Sequence, residues 1–274
     1  MVDRALLRRF VEEALVSSDL QDGVPGWLLD DAVAPDAKLR QGDLIVFKAS
    51  ENPLRQVGII VTADCDLEQR KHAGLVTLVP VADARTILER YLLLEDCERK
   101  RDLIEVYLFK AYSINLRQER ATKLTILRQT CTQSDLDGKD SRKVAADFVF
   151  GTSDSVGVEG YVKLMSDIGS GPKGKNALRD QIRSRGDLLI LPSAKKLGVA
   201  GHIAWLRHIW QVGLDDIALR TSEVVARSGE RLGRLDSPFR YRLTQLMAQV
   251  FSDIGLPNIS DGMEEAIKEA YGDA

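Results

Sequence analysis

The stretch from Gln41 to Asp83 constrains the chain more than any other part of it. It contains three runs rich in Ile, Val, Leu and Thr: Asp43–Lys48, Gly58–Thr62 and Leu75–Val81. Each is bounded by Gly, Pro or charged residues, which is how short buried strands read. Three such runs, separated by short polar connections, predict the core of a small barrel. The second run ends in Thr62-Ala63-Asp64-Cys65-Asp66, the most unusual local chemistry in the sequence.

The flanking segments predict helices and a hairpin. In Val2–Val16, Leu6, Leu7, Phe10, Val11, Ala14 and Leu15 recur at spacings of three and four, so an amphipathic helix is expected, packed on its own domain. Gly23–Ala37, with Pro25, Gly26 and Pro35, reads as a lead-in loop in which Trp27 plugs one end of the barrel. Thr86–Arg99 and Asn115–Cys131 have helical spacing, Asp102–Ser113 fits strand or helix, and Gln133–Asp140 is a polar turn. Phe148–Ala177 is glycine-rich and shows no clear period, and Gly160–Ile168 makes no convincing buried strand. Arg185–Leu191 and His202–Val212 read as two strands of a hairpin joined through Lys195-Lys196-Leu197-Gly198. Asp236-Ser237-Pro238 starts a helix, with a capping side chain and then proline in the first turn. Its stripe of Phe239, Leu243, Leu246, Met247, Val250, Phe251 and Ile254 ends at Gly255 and Pro257, and a last short helix runs from near Ser260 to Tyr271. The expected organisation is residues 1–40 as helix and lead-in, 41–150 as barrel with a helical insertion, and 151–274 as hairpin and C-terminal helices, separate or in the same compact unit.

Composition excludes some classes of function. A formal charge of -3 argues against a protein that coats nucleic acid, while leaving room for a local basic patch. No apolar run approaches the roughly 20 residues of a membrane span, so no membrane partner is expected. Three widely spaced cysteines, Cys65, Cys97 and Cys131, suit reduced thiols in a cytoplasmic compartment.

Candidate chemistry centres on Asp64-Cys65-Asp66. A thiol beside two carboxylates is badly placed as a nucleophile, because adjacent negative charge raises its pKa. Lys71 or His72 would have to fold back across a turn to activate it. Asp64, Cys65, Asp66 and His72 offer ligand types but no zinc spacing, so neither a metal nor a cofactor is expected. The expectation is an inward Cys65 packed as a small hydrophobe with Asp66 capping the next turn; a binding or catalytic role is the alternative. Gly169-Ser170-Gly171-Pro172-Lys173-Gly174-Lys175-Asn176 resembles a phosphate loop only superficially. Asn176 replaces the magnesium-holding hydroxyl and Pro172 removes an amide, so a basic surface loop is expected. Among the basic residues, Arg220, Arg227, Arg231, Arg234, Arg240 and Arg242 form the best candidate group for contacting phosphate or an acidic partner. His202 and His208, six apart in one strand-like run, would share a face as structural residues.

Gly42-Asp43-Leu44-Ile45-Val46, Gln56-Val57-Gly58-Ile59-Ile60-Val61-Thr62 and Val76-Thr77-Leu78-Val79-Pro80-Val81, in that order, resemble the strands of the PemK/MazF family of bacterial toxin barrels. The resemblance implies a small SH3-like barrel; with the helical insertion, C-terminal β-hairpin and helices read above, the expected fold class is α+β. In that family an Arg on the second strand and a Thr after the third carry metal-independent RNA cleavage. Here Gln56 stands at the Arg position with Arg55 beside it, and Ala82 stands at the Thr position. Without a converging guanidinium and hydroxyl the transition-state charge lacks its stabiliser. Asp64 and Asp66 would also repel RNA from the same mouth. The expected function is therefore a non-catalytic regulatory or adaptor protein that binds a protein partner in a bacterial stress-response or phage-defence setting. Two alternatives remain: a divergent endoribonuclease using Arg55 and Thr62, with RNA as partner, and a hydrolase or metal site built on Cys65 and His72.

Overall fold

The computed structural model describes residues 24–29, 34, 37–48, 50–71, 73–131, 140–170 and 185–252. The helices expected at Val2–Val16 and near Ser260–Tyr271, most of the Gly169–Asn176 loop, and His72 lie outside them.

The strands are β1 (Trp27–Leu28), β2 (Asp43–Phe47), β3 (Val57–Ile60), β4 (Leu75–Ala82), β5 (Leu188–Ile190), β6 (Ile203–Trp205), β7 (Trp210–Gly213), β8 (Ile217–Ala218) and β9 (Gly229–Leu235). The three runs expected to pair do so: β2, β3 and β4 are antiparallel neighbours, with Leu44 opposite Ile59 and Ile59 opposite Val79. The α+β class is present, but the small barrel is not confirmed, because the sheet is not closed; its order is β1-β9-β2-β3-β4-β6-β5. From the far end of the chain, β9 takes the outer edge of β2, and the sheet grows away from its three-strand centre to end on two short edge strands. The far edge of β4 is shared, with β7 along Leu75–Leu78 and β6 along Val81–Ala82.

That sharing explains a second correction. His202–Val212 is two strands rather than one, because the chain must turn between β6 and β7 to reach both halves of β4. His202 and His208 therefore lie outside any strand, and the His208 amide closes the turn on the Trp205 carbonyl. The expected β5–β6 hairpin is present, connected through the 3-10 turn Lys195–Leu197.

Side chains alternate across the sheet as the pleat requires. Leu44, Ile59, Val79 and Val81 face one core, which also contains Trp27 and the C-terminal helix α8 (Ser237–Ser252) through Leu243, Leu246 and Val250. Trp27 thus packs on an open sheet face, not in a barrel end. Ile45, Ile60, Val76 and Leu78 face the opposite core, with Leu39 and Ile217. Helix α8 starts as its sequence predicts: an Asp236 carboxylate oxygen accepts from the Ser237 amide at 2.6 Å, and the Arg240 amide donates to the Asp236 carbonyl.

Between β4 and β5 lies the helical insertion. With α1 (Asp64–Glu68) already placed between β3 and β4, the insertion comprises α2 (Ala84–Ile87), a π-helical turn (Leu88–Leu92), α3 (Leu93–Arg99), α4 (Arg101–Ala111), α5 (Arg120–Cys131), α6 (Ser141–Phe150) and α7 (Val158–Asp167). Asp102–Ser113 resolves as helix because Ile104, Leu108 and Phe109 fall on one face against the helical core. Helix α7 lies in the glycine-rich strip that showed no period. There Gly160, Tyr161, Leu164 and Met165 are buried, so the glycine sits at a packed surface and does not break the helix.

Buried Asp43 in the sheet layer and partly buried Asp96 in the helical layer are both paired. Asp43 has no exposed side-chain surface; it accepts from Arg234 Nε at 2.6 Å and the Arg40 amide at 2.9 Å, and lies 3.6 Å from Arg231 Nη1. In the helical layer, Asp96 accepts from Lys100 Nζ at 2.6 Å and from the Tyr161 hydroxyl at 2.5 Å. Burial works to raise the Asp96 carboxyl, but the hydrogen bonds from Lys100 and Tyr161 outweigh it and hold the group below the usual carboxylate range.

Removing the Asp43 carboxylate leaves two cations without their shared anion. Asp43→Ala should lower unfolding stability in a urea titration by about 3–5 kcal/mol, the usual cost of breaking a buried pair on one side. By contrast, Arg85→Ala, at the exposed pair with Glu89, should leave the midpoint unchanged. For Asp96 the folded-state value is depressed, so its contribution is complete above the unfolded value of about 3.9 and is lost as pH falls through the lower folded value. Asp96→Asn should therefore reduce stability at neutral pH and flatten its decline below about pH 4, read by thermal melts across pH.

Candidate functional site

The turn Gln41–Gly42 and the segment Thr62–Asp66 meet at one end of the three central strands. The Gly42 amide donates to the Ile60 carbonyl at 2.8 Å, and Gln41 Nε2 donates to the Val61 carbonyl at 3.0 Å. An Asp64 carboxylate oxygen accepts from the Gln41 amide at 2.7 Å, and Thr62 Oγ1 accepts from the Thr77 amide at 2.8 Å. Both side chains thus fasten the end of β3 to its neighbours.

Cys65 is not inward, as the sequence suggested, but exposed. Residues 64–68 leave the strand as the short helix α1, which turns the thiol outward, 3.7 Å from an Asp66 carboxylate oxygen. The bridging carboxylate is Asp64; the Asp66 amide donates to the Ala63 carbonyl within the same turn.

The other sequence candidates are dispersed. Arg55 closes the 3-10 turn Pro53–Arg55 before β3, whereas Thr62 follows its end. Seven residues near 3.3 Å of rise each separate them by about 20 Å along the strand, so the two do not converge on one phosphate. Arg231 and Arg234, expected with Arg220 and Arg227 as a phosphate-contacting group, are held by Asp43. Arg231 also donates to the carbonyls of Ala34, Ala37 and Lys38, fastening the lead-in loop to β9. Arg220 and Arg227 remain on the connection between β8 and β9, where the Glu223 carboxylate accepts from the Leu219 and Arg220 amides. Among the described residues, no group of three or more His, Cys, Asp or Glu side chains is placed to hold a metal ion.

Two features went unread in the sequence. The first is Arg240 of α8, whose aliphatic stem packs on Gly42. At φ +90°, Gly42 adopts backbone that favours glycine, and an added Cβ would lie 3.0 Å from Arg240 Cδ. The C-terminal helix therefore packs an arginine stem on the turn before β2, with the charged end near the Tyr241 ring; its place in a basic cluster was legible, but its neighbours were not. The second is Asp187 on the edge hairpin. It accepts from Arg185 Nε and Nη2 at 2.9 and 2.8 Å and from Trp205 Nε1 at 3.2 Å, with Arg207 Nε at 3.4 Å. Burial works to raise this carboxyl, but the Arg185 and Trp205 hydrogen bonds prevail and hold it below its usual range. Trp205 is further packed against the His208 ring, at 3.9 Å between centroids, and edge-on to Tyr91 at 5.6 Å. An aspartate opening an aliphatic run, Asp187-Leu188-Leu189-Ile190, was the available signal.

Comparison with known proteins finds no matching family model, no matching curated relative and no matching solved structure.

Iodoacetamide applied to the native protein should label Cys65 and spare Cys97. Cys97 has no exposed surface, and burial pushes its thiol up to about 12. Peptide mass spectrometry reads the sites, and labelling of Cys97 before Cys65 would contradict the assignment. Gly42→Ala should displace Arg240 and lower the melting temperature, whereas Gly151→Ala, also at positive φ but with open space around it, should cost only backbone strain.

Proposed function

We propose that this chain is a non-catalytic regulatory or adaptor protein, and that an extended segment of a partner protein adds to its sheet along the outer edge of β5. The observation that carries this reading is the geometry of that edge. The Leu191 amide donates to the His202 carbonyl and the Leu206 amide to the Asp187 carbonyl. In an antiparallel ladder alternate residues bond inward, so the N–H and C=O groups of Leu188 and Ile190 point away from β6. Among the described residues no strand lies beside them, and Ile190 is 68% exposed. Outward backbone groups flanked by an apolar side chain are what strand addition uses: main-chain bonds supply affinity, and alternate side chains supply selectivity. The Asp187 cluster braces this hairpin from behind, so the edge is presented without a large ordering cost on binding.

The alternative of an endoribonuclease is less well supported, because Arg55 and Thr62 lie at opposite ends of one strand and Arg231 and Arg234 are engaged with Asp43. The resemblance of the central strands to toxin barrels is what supports a bacterial stress-response or phage-defence setting.

Ile190→Pro removes an outward N–H while leaving the bonds to β6 in place, and Ile190→Asp removes the apolar contact. In affinity purification from the native host, both variants should lose at least tenfold of the partner recovered with the wild-type chain, at unchanged melting temperature. Co-purification of RNA in place of protein, or metal-independent cleavage of single-stranded RNA that Arg55→Ala abolishes, would overturn the reading.

A further inference from the structure

Trp205 is the side chain through which the β5–β6 hairpin is braced, and a titratable ring forms one of its walls. The residue is buried, and its indole meets the Tyr91 ring edge-on, the Arg185 guanidinium at 5.9 Å and the His208 ring at 3.9 Å between centroids. Its Nε1 donates to the Asp187 carboxylate, and the Asp187 carbonyl accepts from the Leu206 amide. The His208 amide donates to the Trp205 carbonyl at 3.2 Å, closing the turn that carries the chain from β6 to β7. His208 is thus fixed to Trp205 twice, through its backbone and through its ring.

That ring packs best without a proton. An imidazole against an indole gives up water on the covered face, which a neutral ring tolerates better than a charged one. The indole would attract an imidazolium, but positive charge is already in excess around it. Arg185 and Arg207 share the single Asp187 carboxylate, at 2.8 and 3.4 Å. Glu95 of α3 attracts the imidazolium less than Asp187 does, and the Tyr91 hydroxyl stays neutral. Burial of the covered face is the largest influence and holds the imidazole below the usual histidine range; Arg185 acts in the same direction, Asp187 and Glu95 against it. His208 as a whole is exposed, so a protonated ring has water to turn into.

We propose that His208 is a pH-sensitive latch on the β5 edge: the neutral ring stays on Trp205 and holds the hairpin firm, and the protonated ring turns into solvent and lets the β5–β6 ladder loosen. The inference rests on the strand-addition reading above and names how that same edge is regulated. A partner strand is held at neutral pH, where the edge is pre-ordered, and released on acidification, where ordering it again opposes binding. The folded-state value of His208 is depressed, so its contribution to the hairpin is complete above the unfolded value of about 6.5 and is lost as pH falls through the lower folded value.

Amide hydrogen exchange of the full chain without partner is followed by NMR at about pH 7.5 and about pH 5.5, corrected for intrinsic rates, and the His208 ring is titrated in the same samples. The Leu191 and Leu206 amides, which bond across the hairpin, should lose about fivefold or more of their protection on acidification, while the Val61 amide, bonded to Thr77 in the central sheet, keeps its own. His208→Phe, a ring that carries no proton, should keep the hairpin protected at both pH values. His208→Lys, a fixed and strongly hydrated charge, should show at the higher pH the loss that the wild-type chain shows at the lower one. A His208 ring titrating at or above about 6.5, equal acid loss in wild-type and His208→Phe chains, or full protection in His208→Lys would overturn the proposal. Partner recovered from the native host should fall on acidification with the wild-type chain and not with His208→Phe. If Ile190→Pro abolishes recovery while wild-type and His208→Phe exchange alike, the latch fails and the strand-addition reading stands. If Ile190→Pro leaves recovery unchanged while exchange follows His208, that reading fails and only its regulation falls with it.

Discussion

A carboxylate with no solvent contact is tolerable only where positive charge and hydrogen bonds replace its water, and Asp43 meets that condition through residues nearly two hundred positions away. Its register partner across β2 and β9 is Arg234, so the ion pair forms only when the two strands are aligned as they are. A shift between Leu44 and Ile45 interrupts that alignment, and Arg231 follows it on the opposite side of the irregularity. Arg231 then reaches the carbonyls of Ala34, Ala37 and Lys38, so a single cluster secures the strand register, the lead-in loop and the outer edge of β2 together. This is also why the chain does not close a barrel from its three central strands: the edge at which closure would occur is already filled.

Among the described residues, the helical insertion leaves the sheet at the end of β4. At the end of β4, Asp83 caps α2, accepting from the Thr86 amide at 2.9 Å and its hydroxyl at 2.6 Å. Leu54, Ala82, Ile87, Leu92, Ile203 and Trp205 form a small core across the junction. Beyond it the helical layer has its own core, organised by Phe109, Leu127, Tyr161 and Leu164 and pinned by the Asp96–Tyr161 bond. The proposed docking edge thus sits on the sheet layer, where the Asp187 cluster braces it.

Much of the local structure was legible because it is written in short-range chemistry. The strands β2, β3 and β4 have dense aliphatic runs between turn residues, and α8 has both a capping aspartate and a proline in its first turn. The β5–β6 hairpin also announced itself, through Gly198 at φ +76° after a polar connection. Other features were not legible, each for an identifiable reason. Helix α7 was hidden because Gly157 and Gly160 mimic a loop, although Gly160 is buried at a packed surface. The division of His202–Val212 depends on β4 having two partners on one edge, a property of the other strand. Cys65 looked like a strand residue, but α1 begins one position earlier and turns the thiol outward.

By itself, the sequence determined part of the element list: the extended runs of β2, β3 and β4, the β5–β6 hairpin, the helical spacing of Thr86–Arg99 and Asn115–Cys131, and where α8 begins. Periodicity, turn chemistry and capping act within a few residues, so a linear reading captures them. Only the tertiary structure decided which charges are spent. Arg231 and Arg234 read as candidates for contacting phosphate or an acidic partner until β9 lay beside β2 and Asp43 took them both; Arg240 read as a member of the same group until Gly42 came against its stem. The physical reason is distance along the chain. A charge is available for function only if no opposite charge is buried beside it, and those neighbours are set by packing between segments that the sequence keeps far apart.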